Sequence, residues 1–253
     1  LKITFLGTGT SQGVPVIGCR CSVCKSADKR DKRLRASVLI EQEEQVVVID
    51  TGPDFRQQML HAGVSRLNAV LFTHGHRDHI SGLDDIRAFN YLQKSPMDVY
   101  AEERVSRALY SGFPYVFAEF KYPGIPQVRM HTITNDPFQI GDIQVQPIRM
   151  MHYRLPVLGF RLGDFAYLTD ANYIPENEKE KLYGVKYLVV NALRREAHIS
   201  HFTLSEALSL MEELSPRLGL LTHISHQMGL SADLEKELPA NIRPAYDGLV
   251  LDV

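Results

Sequence analysis

Thr73-His74-Gly75-His76-Arg77-Asp78-His79 sets three imidazoles and a carboxylate within six residues, directly behind the apolar run Ala69-Val70-Leu71-Phe72. Imidazole nitrogen and carboxylate oxygen are ligands for zinc, manganese or iron. His74 and His76 are two apart, so in an extended loop they point to one side. Asp78 and His79 follow where the chain turns into a helix, and face a second point a few ångströms away. One short loop can therefore feed two adjacent metals. A polar loop that happens to be rich in histidine is the bland alternative, but four such residues in an H-x-H-x-D-H pattern weigh against it. Two divalent ions about 3.5–4 Å apart would lower the pKa of a shared water and polarise a phosphoryl oxygen together. A second cluster lies upstream. Cys19, Cys21 and Cys24 can present three thiolates to one zinc, whose fourth ligand must come from elsewhere.

The elements around these residues should place them at strand ends. Ala69–Phe72 reads as a buried strand, and α/β proteins put chemistry on the loops that leave such strands. Strands are expected at 2–6, 36–40, 45–50, 97–101, 137–140, 143–148, 157–162, 165–169, 187–191, 217–221 and 249–253. His152, Asp170 and His223 each stand immediately after a predicted strand, repeating the placement of the first histidines. Together with His74, His76, Asp78 and His79 they make seven candidate ligands along one edge. Helices are expected from Pro53 to about Ala62 with Gly63 as stop, from Gly82 to about Leu92, and over 102–110, 179–183 and 203–214. The last shows Leu204, Ala207, Leu208, Met211 and Leu214 on one face, with Thr203 as its cap. Strands, histidine loop and helices, then strands and helices again, make two βα layers on one core, helices outside and sheets inside.

Gly7-Thr8-Gly9-Thr10-Ser11 reads as a tight turn near the site, not as a dinucleotide fingerprint. Residues 13–35 form an insertion with little periodicity, whose charged run Lys25–Arg35 reads as a solvated face. The aromatic stretch Ser111–Gln127 is either a lid or a packing element. His61 and His131 read as local or structural, and His198 as structural or substrate-facing.

At 253 residues the chain can bury one large core or two modest ones, and its 44% hydrophobic and 23% charged content is that of an ordinary globular protein. A net charge of −2 makes no global electrostatic bid for nucleic acid or anionic membrane. No apolar run approaches the roughly 18–20 residues that span a bilayer. Three clustered cysteines and no signal-like start favour a reducing, cytoplasmic setting and a metal role for the thiols.

The order H-x-H-x-D-H, His, Asp, His, with Asp50-Thr51-Gly52 upstream, resembles the metallo-β-lactamase superfamily over nearly the whole chain. The resemblance implies a single αββα sandwich domain over 1–253, two active-site metals (manganese or zinc) and hydrolytic chemistry. His74, His76 and His152 would hold one metal, Asp78, His79 and His223 the other, and Asp170 would bridge. Asp50 would buttress the histidine loop. His76, where oxygen-reducing di-iron relatives carry Glu, favours hydrolysis. Leu1–Ser11 looks like the phosphodiesterase branch, which includes tRNA 3′-processing endonucleases. Gly82-Leu83-Asp84-Asp85-Ile86-Arg87 and the three cysteines look more specifically like the PhnP-type phosphodiesterases. That likeness implies a structural zinc on Cys19, Cys21, Cys24 and His226, and a histidine beside the scissile phosphate at His201. His201, with Asp78, would be catalytic, donating a hydrogen bond to the phosphoryl oxygen or a proton to the leaving alkoxide. The implied reaction is attack of a metal-bridging hydroxide on a small cyclic ribose phosphodiester such as 5-phosphoribosyl 1,2-cyclic phosphate. A tRNA-processing endonuclease would need a basic arm that is not visible, which makes nucleic acid an unlikely partner. A thioester or lactone hydrolase would not need His201. A homodimer is possible.

Overall fold

The computed structural model describes residues 1–120 and 122–253, so Lys121, within the aromatic stretch, lies outside the described residues. In chain order the strands are β1 (Lys2–Gly7), β2 (Ser37–Gln42), β3 (Gln45–Ile49), β4 (Ala69–Leu71), β5 (Met97–Ala101), β6 (Val128–Thr132) and β7 (Phe138–Ile140). They continue with β8 (Ile143–His152), β9 (Leu155–Leu162), β10 (Phe165–Leu168), β11 (Tyr187–Asn191), β12 (Leu218–Thr222), β13 (Ile242–Pro244) and β14 (Val250–Asp252). They form two seven-stranded sheets, ordered β14-β1-β2-β3-β4-β5-β6 and β13-β12-β11-β10-β9-β8-β7. In the first sheet β3 to β6 are parallel, and in the second β10 to β13.

Period-two side chains explain why both faces of each sheet are buried. Phe165 and Tyr167 of β10 face the first sheet, packing with Phe5, Ile40, Ile49 and Phe160. Ala166 and Leu168 face outward onto Leu204, Ala207 and Met211 of the helix Leu204–Leu214. On the other side, Leu39, Val48, Val70 and Val99 meet Phe55 and Met59 of helix Phe55–Ala62, Phe89 of helix Arg87–Gln93 and Val105 and Leu109 of helix Glu103–Gly112. The layers are helix, sheet, sheet, helix, the expected αββα sandwich.

Several elements differ from expectation. β6, β13 and helix Ser231–Glu237 carry no clean period and go undetected in the sequence. The helix expected over 179–183 is Glu176–Lys179 followed by a 3-10 turn, Glu180–Leu182. The charged run 25–35 is not a solvated face throughout: Asp31 and Arg33 are 2% and 4% exposed. Arg33 is drawn inward because its guanidinium donates to Thr8 Oγ1, the Ala245 carbonyl and Ser231 Oγ, while Asp31 accepts from the Ser231 amide. The Gly7–Ser11 turn is pinned rather than free, with Gly9 bridging both Arg35 and Ile224. A Cβ on Gly7 would run into the Arg35 carbonyl, which is why glycine stands there. Among the described residues no helix is long and apolar enough to cross a membrane.

Candidate metal centre

Three residues of the cluster leave their strands with positive φ: Asp50 (64°) after β3, Asp170 (57°) beyond β10 and His223 (54°) after β12. A left-handed conformation costs a non-glycine residue about 1–2 kcal/mol. Its recurrence at strand ends marks where the fold spends stability to turn side chains toward one point.

Asp50 is fully buried, and its Oδ1 accepts the Thr73 amide at 2.9 Å while Oδ2 accepts the Thr73 hydroxyl at 2.7 Å and His79 Nδ1 at 2.7 Å. With its hydrogen given to Asp50, the Thr73 hydroxyl accepts from His74 Nδ1 at 3.0 Å. His152 Nδ1 donates to the Ser200 carbonyl at 2.7 Å. Each of these three histidines thus spends its Nδ1–H on the protein and turns Nε2 inward as a lone pair, the tautomer a metal needs. His74 Nε2 and His79 Nε2 are buried without a hydrogen-bond partner, as are both ring nitrogens of His223.

Asp170 sits at the middle of this group, 2% exposed, with Oδ1 3.3 Å from His79 Nε2 and 3.0 Å from His223 Nδ1. Its Oδ2 is 4.0 Å from His74 Nε2. Asp78 Oδ2 lies 3.2 Å from His79 Nε2. Ligand atoms converge to within 4.8 Å in the sets His74–His76–His152, His74–His79–Asp170, Asp78–Asp170–His223 and His152–Asp170–His201. All seven candidate ligands therefore meet in one place, and buried nitrogens with no hydrogen-bond partner beside carboxylates are suited to divalent cations.

Electrostatics point the same way. Burial opposes charge on His79, but the Asp170, Asp78 and Asp50 carboxylates outweigh it and hold its pKa well above the usual range. Burial and the neighbouring His79 hold His74 well below it. Burial pushes Asp170 and Asp78 up, yet the facing His223 and His79 keep both carboxyls ionised to low pH. The pocket concentrates negative charge that only protons or cations can balance.

His201 completes the wall. Its ring stacks on His223 with centroids 4.8 Å apart and meets His152 edge-on at 4.5 Å, and its Nδ1 is buried without a partner. Burial, then the nearby His223, lowers its pKa to about 3. Thr203 caps the following helix through a reciprocal box with Glu206, which fixes the chain two residues beyond His201. His198 lies 5.2 Å from the His201 ring, so it borders the site. His131 pairs with Asp98 on the first sheet, and His61 is exposed at a helix end. Sequence reasoning missed Thr73 and the Ser200 carbonyl, which set the His74 and His152 tautomers. Thr73 directly precedes the histidine loop and was the available signal.

The cysteine cluster is a separate centre. His226 Nδ1 stands 3.4 Å from both Cys19 Sγ and Cys21 Sγ, and Cys24 joins the same set. A zinc with sulfur at about 2.3 Å and nitrogen at about 2.0 Å spaces its ligands roughly 3.5–3.8 Å apart, so these four side chains suit it. The Cys24 amide and His226 lower the Cys21 thiol to about 6, whereas burial raises Cys24 to about 11.

The chain belongs to the metallo-β-lactamase superfamily: residues 45–224 match the family described as Beta-lactamase superfamily domain, and the hydrolase fold of that superfamily is the one seen here. Within it the chain is of the PhnP type. The crystal structure of a new diphosphatase from the PhnP family superposes with a TM-score of 0.93 and 40% identity, covering 99% of this chain and 96% of that one. An octanoyltransferase of Porphyromonas gingivalis is 42% identical over 252 residues, 98% of this chain but 51% of that protein, so the chain spans about half the length of that curated relative. The short form of human tRNase Z shares the fold, with a TM-score of 0.70 at 19% identity over 100% of this chain and 99% of that one.

Proposed function

We propose that this chain is a metal-dependent phosphodiesterase acting on a small ribose phosphodiester, with 5-phosphoribosyl 1,2-cyclic phosphate as the leading substrate. The observation that carries the reading is His201, a buried imidazole with an unpartnered Nδ1 stacked on His223 at the rim of the His/Asp cluster. A phosphoryl group gains charge on its oxygens and on its leaving group in the transition state.

His74, His76 and His152 would hold one divalent ion and Asp78 and His223, with His79 beside Asp78, the other, Asp170 being near both groups. When bound, such a pair makes a water nucleophilic near neutral pH and polarises a phosphoryl oxygen. Asp78, held as a carboxylate, accepts a hydrogen bond from the attacking water and orients it. Water oxygen bonds to phosphorus, the P–O bond to the sugar breaks, and the leaving oxygen takes a proton. His201 is neutral near neutral pH, so it offers an N–H rather than a fixed cation. An approaching phosphoryl anion favours its protonation, which readies it to pass a proton to the leaving oxygen. Manganese and zinc both suit this mixed nitrogen and carboxylate set.

A second reading comes from the 40% identical PhnP-family diphosphatase: the bond cleaved is P–O–P rather than P–O–C. The same residues serve both, because each phosphorus carries two bridging oxygens. Phosphorus NMR of manganese- or zinc-loaded protein separates them, with the cyclic ribose phosphate, bis(p-nitrophenyl) phosphate and a dinucleoside diphosphate run side by side. Turnover of the cyclic ester supports the first reading, and turnover of the diphosphate alone supports the second. No turnover of any of the three by protein carrying two metals at this centre rules out both. His201→Ala is expected to lower kcat by about 10²–10³-fold. An unaffected variant overturns the role given to His201.

A further inference from the structure

Asn191 ends β11, fully buried, opposite Thr222 in the register with β12. Its side chain is spent on one neighbour. Oδ1 accepts the Ala171 amide at 2.8 Å, and Nδ2 donates to the Ala171 carbonyl at 3.0 Å. Turning the side-chain amide over would set donor against donor and acceptor against acceptor, so the backbone it faces fixes its orientation. Among the described residues no other side chain bonds to the Ala171 backbone.

Ala171 stands between two functional groups. It directly follows Asp170, whose left-handed φ of 57° a non-glycine residue keeps only where its surroundings enforce it. The Ala171 carbonyl also accepts the Phe202 amide at 2.7 Å, one residue beyond His201. The Phe202 carbonyl in turn accepts the Leu193 amide at 3.0 Å, two residues beyond Asn191. Asn191, Ala171, Phe202 and Leu193 thus close a circuit of hydrogen bonds and chain. Beside it the Ala192 amide donates to the Thr222 carbonyl at 2.9 Å, next to His223. Asp170, His201 and His223 leave three different parts of the chain, and each is the immediate neighbour of a residue bonded here.

We propose that Asn191 is a positioning residue. Through Ala171 it holds the Asp170 carboxylate toward the metal centre and His201 beside His223, so one buried amide sets the metal-facing carboxylate and the proton donor relative to each other. The proposal deepens the phosphodiesterase reading and rests on the roles given there to Asp170 and His201.

Asn191→Leu keeps the shape of the side chain and removes both bonds, which makes it the variant for the test. The affinity of the protein for manganese and zinc, measured by competition with a chelator, is expected to fall about 10–100-fold. Amide hydrogen exchange over 199–203 is expected to quicken about tenfold or more, while helix Glu103–Gly112 behind the other sheet keeps its rate. Neither readout needs turnover. At saturating metal, kcat on the cyclic ribose phosphate should fall about 10²-fold in the wild-type background, but less than about tenfold in the His201→Ala background, because both changes act on one group. A residue that only holds the fold together would cost the same factor in both. Thermal melts check folding. If Asn191→Leu does not fold, Asn191→Ala, which adds no bulk, takes its place in each measurement. Unchanged metal affinity overturns the proposal, as does unchanged exchange over 199–203 or an equal loss of kcat in the two backgrounds. If the wild type turns over no phosphodiester, the functional reading falls, and metal affinity and exchange still decide the role of Asn191.

Discussion

His79 Nδ1 lies 2.7 Å from Asp50 Oδ2, and the same oxygen accepts the Thr73 hydroxyl that in turn holds His74 Nδ1. One buried carboxylate thus sets the tautomer of two histidines of the candidate metal centre. Asp50→Asn keeps the volume but replaces one acceptor oxygen with a donor, against either His79 or Thr73. Metal affinity is expected to fall about 10–100-fold, as for other outer-shell partners of metal histidines. Metal content after dialysis against a buffered chelator measures this. Retention equal to wild type would show that Asp50 does not govern the tautomers.

Gly52 and Gly82 make close backbone approaches under the histidine loop. A Cβ on Gly52 would meet the backbone carbonyl of Asp78, and one on Gly82 would meet the Gly52 carbonyl. These glycines let the Asp50–Gly52 turn lie directly against the loop, where the Thr51 amide donates to the His79 carbonyl at 2.8 Å. Gly52→Ala is expected to push Asp78 and His79 out of register and lower kcat/KM by about 10²-fold or more. Thermal stability should fall by only about 1–3 kcal/mol, as for an overpacked core site. Activity within twofold of wild type would refute this account of the close approach.

The cysteine cluster should behave as a staple. Cys19, Cys21 and Cys24 sit in the insertion, and His226 sits three residues after His223, so a zinc held there would tie residues 13–35 to the strand end that carries His223. His226→Asn is expected to remove one equivalent of zinc and lower Tm by several degrees, while the other metals remain. Zinc content and a melt in the presence and absence of chelator read this out. A Tm that chelation lowers equally in variant and wild type would mean that the cluster holds no structural ion.

How far the sequence discloses this depends on where the information is local. His74, His76, Asp78 and His79 are written in one heptapeptide behind a buried strand, and His152, Asp170 and His223 follow apolar runs of strand length. The runs before Asp170 and beyond it are continuous rather than alternating because both faces of β10 and β11 are buried. The positive φ of Asp50, Asp170 and His223 left no mark in the sequence, since only glycine advertises that conformation. Nor did the inward turn of Asp31 and Arg33. Their partners Thr8, Ala245 and Ser231 are 25 to 212 residues away, and a run of charges reads as a surface until those partners are placed. The short strands β6 and β13 close the two sheets at opposite edges with three to five residues each, too few for a period to show.

Asp247 offers a pH-dependent test of that buried network. Burial pushes its carboxyl up to about 6 from an ordinary 3.8, although the Leu34 amide at 2.6 Å, the Thr8 hydroxyl at 2.7 Å and the nearby Arg33 all favour the charged form. Because the folded pKa is the higher one, the folded state takes up the proton more readily than the unfolded chain. The resulting stabilisation is complete below about 3.8 and is lost as pH rises through about 6. Between pH 5 and pH 7 the loss amounts to about 1 kcal/mol. Asp247→Asn cannot titrate, so relative to wild type it should gain about that much over the same interval, whatever constant offset the altered hydrogen bonds introduce. Urea denaturation of both proteins at pH 5, 6 and 7 gives the difference directly. A gap that does not change with pH would mean that Asp247 keeps an ordinary pKa, and that Arg33 and the two donors offset the cost of burying it.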